Sequence, residues 1–331
     1  MRLRLSDIAG QAGVSEATVS RVLNEKPGVG EDTRRAVLTA LDVLGYERPQ
    51  ALRKHAMGLI GLILPELENP IFPLYAQTIA TVLANSGFTP VLCTQTPGGV
   101  TEDEYVAMLQ ERAVAGIIFV SGMHADTSAD TSRYHALQEK RLPMAFITGH
   151  PGDISAPSFS CDDTAAATMA VEHLSGLGHK KIGIISGPER YRPVKRKLEG
   201  YRKAMAGIGE ELSELTMFGE QGGHAAAARL IDRGATAILC GSDLMALGAI
   251  RAVHERGLSV PEDISVIGYD DSPLIAHTSP PLTTIRQPVR DIATAAARAL
   301  LDSINGQAPP TSEYLYRPEL VVRKSTGMVR S

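Results

Sequence analysis

Apolar positions in the first 45 residues recur three and four apart, the period of amphipathic helices. Ile8, Ala9 and Ala12 form one stripe, with Ser6 placed to cap the helix that carries them. Gly13 interrupts the pattern. Ser15 then opens a second helix whose apolar stripe is Val19, Val22 and Leu23. Pro27-Gly28 predicts a turn, and Glu31-Asp32 suit the positive N-terminus of a third helix. Its inner face is Ala36, Val37, Ala40, Leu41 and Leu44, and Gly45 ends it.

From Leu59 onward the pattern changes. Short apolar runs, LIGLIL (59–64), TPVLC (89–93), GIIFV (116–120), MAFIT (144–148), KIGIIS (181–186), TAILC (236–240) and ISVIGY (264–269), read as buried strands. Helical periods lie between them, over 72–86, 102–113, 163–177, 195–207, 222–233 and 243–256. Unalternating strands separated by helices imply parallel sheets covered on both faces. About 270 residues exceed one doubly wound unit, so the fold class expected is α/β: a small all-α head followed by two lobes with a cleft between them. The segment 46–58, which includes ERPQALRKHAMG, reads as a linker.

Composition narrows the function. The formal net charge of the 331-residue chain is −4. Residues 1–58 hold nine Lys/Arg against seven Asp/Glu, a net +2, which leaves −6 for the rest. A basic head on an acidic body suits phosphate binding by the head. Cys93, Cys161 and Cys240 lie far apart without metal-ligand spacing, as reduced thiols of a cytoplasmic protein would. No apolar run has the length of a membrane span, and MRLRL is followed by no signal-peptide core. Phosphate-loop, nucleophile-elbow, zincin and dinucleotide-binding motifs are missing, and the nine His are scattered. We therefore expect no enzyme activity, no metal and no cofactor.

Two helices joined by a tight turn, with a third behind them, make a helix-turn-helix unit whose second helix enters the major groove. The non-core positions there are Ser15, Glu16, Ala17, Thr18, Ser20, Arg21 and Asn24. Arg can bond guanine bidentately, Ala can touch a thymine methyl, and Ser and Thr can hold phosphates. Glu16 can accept from cytosine or simply favour the helix N-terminus. Ser6 and Thr33 join them as expected DNA contacts. The bland alternative is a three-helix cap that binds nothing.

The run AGVSEATVSRVLN (12–24), with TRRAV (33–37) and LGY (44–46), resembles the headpiece of the lac repressor family of bacterial transcription regulators. The likeness continues through LENPIF (67–72), VEHLSGLGHKKIGIISGP (171–188), SDLMALGAIRAVHERGLSVPEDISVIGYDDSPL (242–274) and PPLTTIRQP (280–288), so it covers essentially the whole chain. It implies a periplasmic-binding-protein-like core that takes a small effector, usually a sugar, and a homodimer reading a palindromic operator in double-stranded DNA. The implied divisions are a DNA-binding domain over 1–45, a hinge over 46–58, an N-lobe over 59–160 plus 287–316, and a C-lobe over 161–286 plus 317–331. The implied function is a repressor released by its effector. A co-repressor-dependent regulator and an exported-type sugar-binding protein stand as alternatives.

In the family, the linker coils into a hinge helix on DNA and wedges a Leu into the minor groove; Leu52 is the leucine available here. The positions matching the effector site are Asn69, Phe72, Thr148, Phe159, Lys197, Ser242, Asp270 and Gln287. Asp, Lys and Asn suit sugar hydroxyls, and an aromatic ring suits the apolar face of a sugar. Two positions depart from the family pattern: Lys197 stands where Arg is usual, and Ser242 where Asn is usual. Lys lacks the planar fork of Arg, so the pocket is expected to be bonded differently, for a larger saccharide. Asp243 has a bland alternative as a helix cap, and His179 a structural role before a strand.

Overall fold

The computed structural model describes residues 4–24, 26–44, 57–95, 98–307 and 311–330. The chain divides into two compact units, Met1–Met57 and Gly58–Ser331. Most of the expected hinge, including Leu52, lies outside the described residues.

The head holds three helices: α1 (Leu5–Ala12), α2 (Glu16–Leu23) and α3 (Glu31–Val43). Ile8, Ala9, Val19, Val22, Val37, Ala40 and Leu41 form its core. Ala12, Ala36 and Leu44 are only half-buried at its edge. Ser6 is not the cap of α1. The helix begins one residue earlier, and the Arg4 amide donates to Asp7 Oδ2 at 2.9 Å, so a carboxylate three residues on satisfies the free end. Ser15 does cap α2, accepting from the Thr18 amide at 3.2 Å. Between the two helices Gly13 has φ +66°, the left-handed conformation that lets Val14 N reach back to Ala9 O.

The body contains two six-stranded sheets. The first is built from β1 (Gly58–Leu64), β2 (Phe88–Thr94), β3 (Gly116–Val120), β4 (Met144–Ile147), β5 (Ser158–Cys161) and β11 (Glu313–Tyr316), in the order β11-β5-β4-β3-β1-β2. All of its pairings are parallel. The second is built from β6 (Ile182–Ser186), β7 (Leu212–Leu215), β8 (Ala237–Cys240), β9 (Ser265–Asp270), β10 (Thr283–Arg286) and β12 (Glu319–Val321), in the order β12-β10-β9-β8-β6-β7. It is parallel except for β12, which runs antiparallel to β10. The chain passes between the sheets three times: after β5, after β10 and after β11.

Helices cover both faces. They are α4 (Ile71–Asn85), α5 (Glu102–Glu111), α6 (Ser132–Glu139), α7 (Asp163–Gly176), α8 (Arg192–Met205), α9 (Glu220–Asp232), α10 (Asp243–Glu255) and α11 (Val289–Ile304). The strand β1 shows why a run without alternation is needed. Ile60, Leu62 and Leu64 face one apolar layer and Ile63 the other. The first of these layers continues through Ile182, Ile184 and Leu239 of the second sheet, so one core runs behind both lobes at the crossings.

The alternation set out above reproduces seven strands and six helices of the body to within three residues. The short strands β5, β7, β10, β11 and β12 carry Ser, Thr, Glu and Tyr and show no apolar run. Helix α8 starts three residues early because Pro193 sits in its first turn, where no partner for its missing N–H is needed. His179 has the structural role expected of it. Its Nδ1 meets Thr236 Oγ1 at 2.9 Å, and its Nε2 meets Ser265 Oγ and Gly327 O, each at 3.0 Å, pinning the C-terminal segment to the second sheet.

Candidate nucleic-acid interface and effector cleft

Helix α2 turns Val19 and Val22 into the head and leaves Ser15, Glu16, Ala17, Arg21 and Asn24 exposed, with Thr18 and Ser20 half-buried. Ser15 Oγ and Thr18 Oγ1 are 2.9 Å apart at the helix N-terminus. That end combines free amide donors, two hydroxyls and a positive dipole, the combination that receives a phosphate. Asn24 Nδ2 donates to Ser20 O at 2.8 Å, which draws its amide back along the helix. Ser6 is exposed in the first turn of α1, and Thr33 is half-buried in the first turn of α3.

In the body, the C-terminal ends of the strands bring most of the expected cleft residues together. Asp270, the last residue of β9, is the centre. Its Oδ1 accepts from Gln287 Nε2 at 2.7 Å, and its Oδ2 accepts from Asn69 Nδ2 at 3.2 Å. Tyr75 Oη donates to Gln287 Oε1 at 3.4 Å. Asn69 stands just before α4, and its Oδ1 accepts from the Ile71 amide, so the same side chain begins α4 and reaches across the cleft. Burial, and next the charge of Asp243, push the Asp270 carboxyl well up. Asp243 is itself pushed up by burial, although it accepts from the Ser272 amide at 2.7 Å and from Thr284 Oγ1 at 2.6 Å. Asp243 thus fixes the loop that follows Asp270.

Backbone strain gathers at the same strand ends. Ser121 after β3, Thr148 after β4, and Asp270 and Asp271 at the end of β9 have φ of +47°, +70°, +125° and +58°. A β-branched residue such as Thr148 is rarely found there, and such conformations concentrate at binding sites. Thr148 is half-buried, its amide bonded to Phe159 O at 3.0 Å. Phe159 is buried in β5 and stacks on Tyr314, centroids 5.5 Å apart. Phe72 is half-buried against the core behind α4.

Two expected contacts are engaged elsewhere. Lys197 Nζ pairs with Asp163 Oδ1 at 2.6 Å and lies 3.8 Å from the centroid of the Tyr269 ring, whose hydroxyl also donates to Asp163. With its ammonium held by the first carboxylate of α7, Lys197 ties α7, α8 and β9 together. Ser242 caps α10, its Oγ accepting from the Met245 amide at 3.2 Å. The cap belongs to Ser242, and Asp243 one residue later supports the loop after β9.

Two aromatic residues not foreseen stand at the mouth of the second lobe. Tyr191 follows β6, Phe218 follows β7, and their ring centroids are 5.9 Å apart. Phe218 is 52% exposed and covers Gly187, where a Cβ would come within 2.1 Å of the ring. An exposed Phe pressed on a glycine offers a flat apolar face to a ligand. GP at 187–188, followed by aromatics at Tyr191 and Phe218 in loops after strands, was the only trace in the sequence. Among the described residues no cluster of His, Cys, Asp or Glu could hold a metal ion.

Residues 4–49 match the model of bacterial regulatory proteins of the lacI family, and residues 171–326 match a periplasmic binding protein-like domain. The HTH-type transcriptional regulator MalR of Streptomyces coelicolor is 55% identical over 335 residues, which cover 99% of this chain and 97% of that protein. The chain belongs to the lacI family of bacterial regulatory proteins. As a lacI-family member it is a transcriptional regulator with a helix-turn-helix head and a two-lobed α/β body. Among solved structures of the family, a CelR–cellobiose complex aligns with TM-score 0.72 and 30% identity over 98% of this chain and all of that one. The lac repressor dimer bound to operator and the anti-inducer ONPF aligns with TM-score 0.69 and 29% identity over 99% of this chain and all of that one. No helix among the described residues is long and apolar enough to cross a membrane.

Proposed function

We propose that this lacI-family regulator is a repressor that binds a palindromic operator as a homodimer and is released by a saccharide held between its lobes. The observation that carries the effector reading is Asp270. Its two oxygens are held by an asparagine from one lobe and a glutamine at the crossing, while burial raises the cost of its charge. Sugar hydroxyls that donate to it would offset that cost. CelR with cellobiose and the lac repressor with operator and ONPF support the same reading by analogy.

In this reading Asn69, Thr148, Asp270 and Gln287 hold hydroxyls, with Phe72 and Phe159 behind them. Tyr191 and Phe218 supply the apolar face, and Lys197 and Ser242 shape the pocket from the second row. On the head, Ser6, Ser15, Thr18, Ser20 and Thr33 hold phosphates, and Glu16, Ala17, Arg21 and Asn24 face base edges. Residues 1–45 read DNA, 46–58 form the hinge with Leu52 as wedge, and 59–160 with 287–316 and 161–286 with 317–331 are the lobes. The protein acts in the cytoplasm, without catalysis. Mobility shift of the chain's own promoter fragment tests this, with and without a panel of mono- and disaccharides that includes ribose and cellobiose. Binding to one palindromic site, with a steep salt slope and release by one sugar, is expected. Equal binding to random duplex, or full binding after deletion of residues 1–58, refutes it.

A further inference from the structure

The segment RYRPVKR (190–196), between β6 and β7 of the second lobe, reaches residues of the first. It holds four cations, Arg190, Arg192, Lys195 and Arg196, and Lys197 follows it. Arg190 Nε donates to Asp126 Oδ2 at 2.7 Å. The Thr127 amide and hydroxyl both donate to Arg190 O, at 2.9 and 2.8 Å, and Lys195 Nζ donates to Thr127 Oγ1 at 2.9 Å. Asp126 and Tyr191 form an isolated antiparallel bridge, a strand-like contact between lobes that otherwise share no sheet. The Arg190 guanidinium also lies 4.9 Å from the Tyr191 ring centroid. Deeper in, Arg196 makes a bidentate pair with Glu313, at 2.8 and 2.6 Å, and Ser160 Oγ donates to the same carboxylate.

Position gives these contacts leverage. The crossings leave from β5, β10 and β11. Asp126 follows β3, two strands in from β5, and Arg190 follows β6, three strands in from β10. At a spacing of about 4.8 Å per strand, the outer contacts lie roughly 10–14 Å from the pivot. Neither lobe can swing away without breaking them. Asp126 is 7% exposed and also accepts from the Ser128 amide and hydroxyl, so it is held in place before Arg190 arrives.

We propose that residues 190–196, gripping Asp126, Thr127 and Glu313, form a latch that holds the two lobes together across the cleft. The latch makes opening the step that admits an effector. It rests on the reading of the cleft as the effector site only in its consequence; the grip itself lies between the protein's own side chains.

Hydrogen exchange of the full chain without effector tests it, because the Thr127 amide is bonded only across the lobes. In Arg190→Ala, peptides covering 123–130 should exchange about 3- to 10-fold faster, the range of a partly exposed charged hydrogen bond. Peptides covering β8 should be unchanged, and the exchanged pair Asp126→Arg with Arg190→Asp should restore protection. Unchanged exchange at 123–130 overturns the latch. Acceleration shared equally by β8 also overturns it, because Arg190 would then support the lobe and not the closure. A cleft that proved to bind no saccharide would leave these results as they stand.

Discussion

Asp270→Asn separates binding from folding more cleanly than any other substitution in the cleft. The side chain keeps its shape, but one of its two acceptors becomes a donor. That donor must face either Gln287 Nε2 or Asn69 Nδ2, themselves donors, so one hydrogen bond of about 1 kcal/mol is lost. Against this, the buried charge disappears. Burial and the Asp243 charge hold the Asp270 carboxyl above its ordinary range, and each pKa unit of elevation is about 1.4 kcal/mol of penalty on the ionised form. The substitution should therefore leave the melting temperature unchanged or raise it. Effector binding moves the other way. Two hydroxyls donating to a carboxylate make charge-assisted bonds of about 1.5–3 kcal/mol each. Losing about 3 kcal/mol weakens the effector roughly 100-fold while operator affinity stays the same. Thermal melts and operator release titrated with the effector are the assays. A variant that melts much lower and loses operator binding would show that Asp270 is structural. A variant that responds normally to effector would remove it from the site.

Arg21→Ala should weaken operator binding by about 1–3 kcal/mol and relax one base position in a panel of operator variants; an equal loss on random duplex would assign Arg21 to phosphate. Acid should unfold the body through His124. Burial in a cage of Phe119, Tyr134 and Phe146 lowers it to about 4, despite the 2.9 Å contact of Nε2 with Ile147 O. Its folded pKa lies below its unfolded value of about 6.5, so the unfolded state binds the proton first. The stability it contributes is complete above about pH 6.5 and is lost as pH falls towards 4, about 3 kcal/mol in all. Urea melts from pH 8 to 4 should show a shallower decline in His124→Phe than in the parent; parallel curves would refute the assignment.

Much of this architecture was legible in the sequence. The helix-turn-helix could be read because its turn demands Gly13 and its second helix demands a cap, which Ser15 supplies. The interior strands could be read because burial on both faces leaves no polar alternation. Strands β5 and β10 could not. They lie beside the crossings, and Ser160, Thr283 and Thr284 serve there as hydrogen-bond partners for Glu313, Arg323 and Asp243. The period of α11, from Val289 through Ile292, Ala293, Ala296 and Ala297 to Leu300, is as plain as any, but it follows β10, whose TTIR gives no apolar run to mark the strand before it. Asp270, Asn69 and Gln287 were foreseen together through the resemblance. Lys197 was placed at the effector site through the resemblance, and its pairing with Asp163 could not be read, because a motif carries position and not partner and only the fold brings Asp163 to it. Tyr191 and Phe218 meet because two loops after adjacent strands converge, a proximity no local pattern encodes.

The three crossings also set an order of assembly. The first sheet is not complete until β11 arrives, and the second not until β12, at residues 313–321. During synthesis the ribosome must release the chain through β11 before the first half of the body can complete its sheet, and through β12 before the second can. The core of the head is drawn from its own residues, Ile8 to Leu41, so a nascent regulator can present its reading helix well before the part that governs it exists.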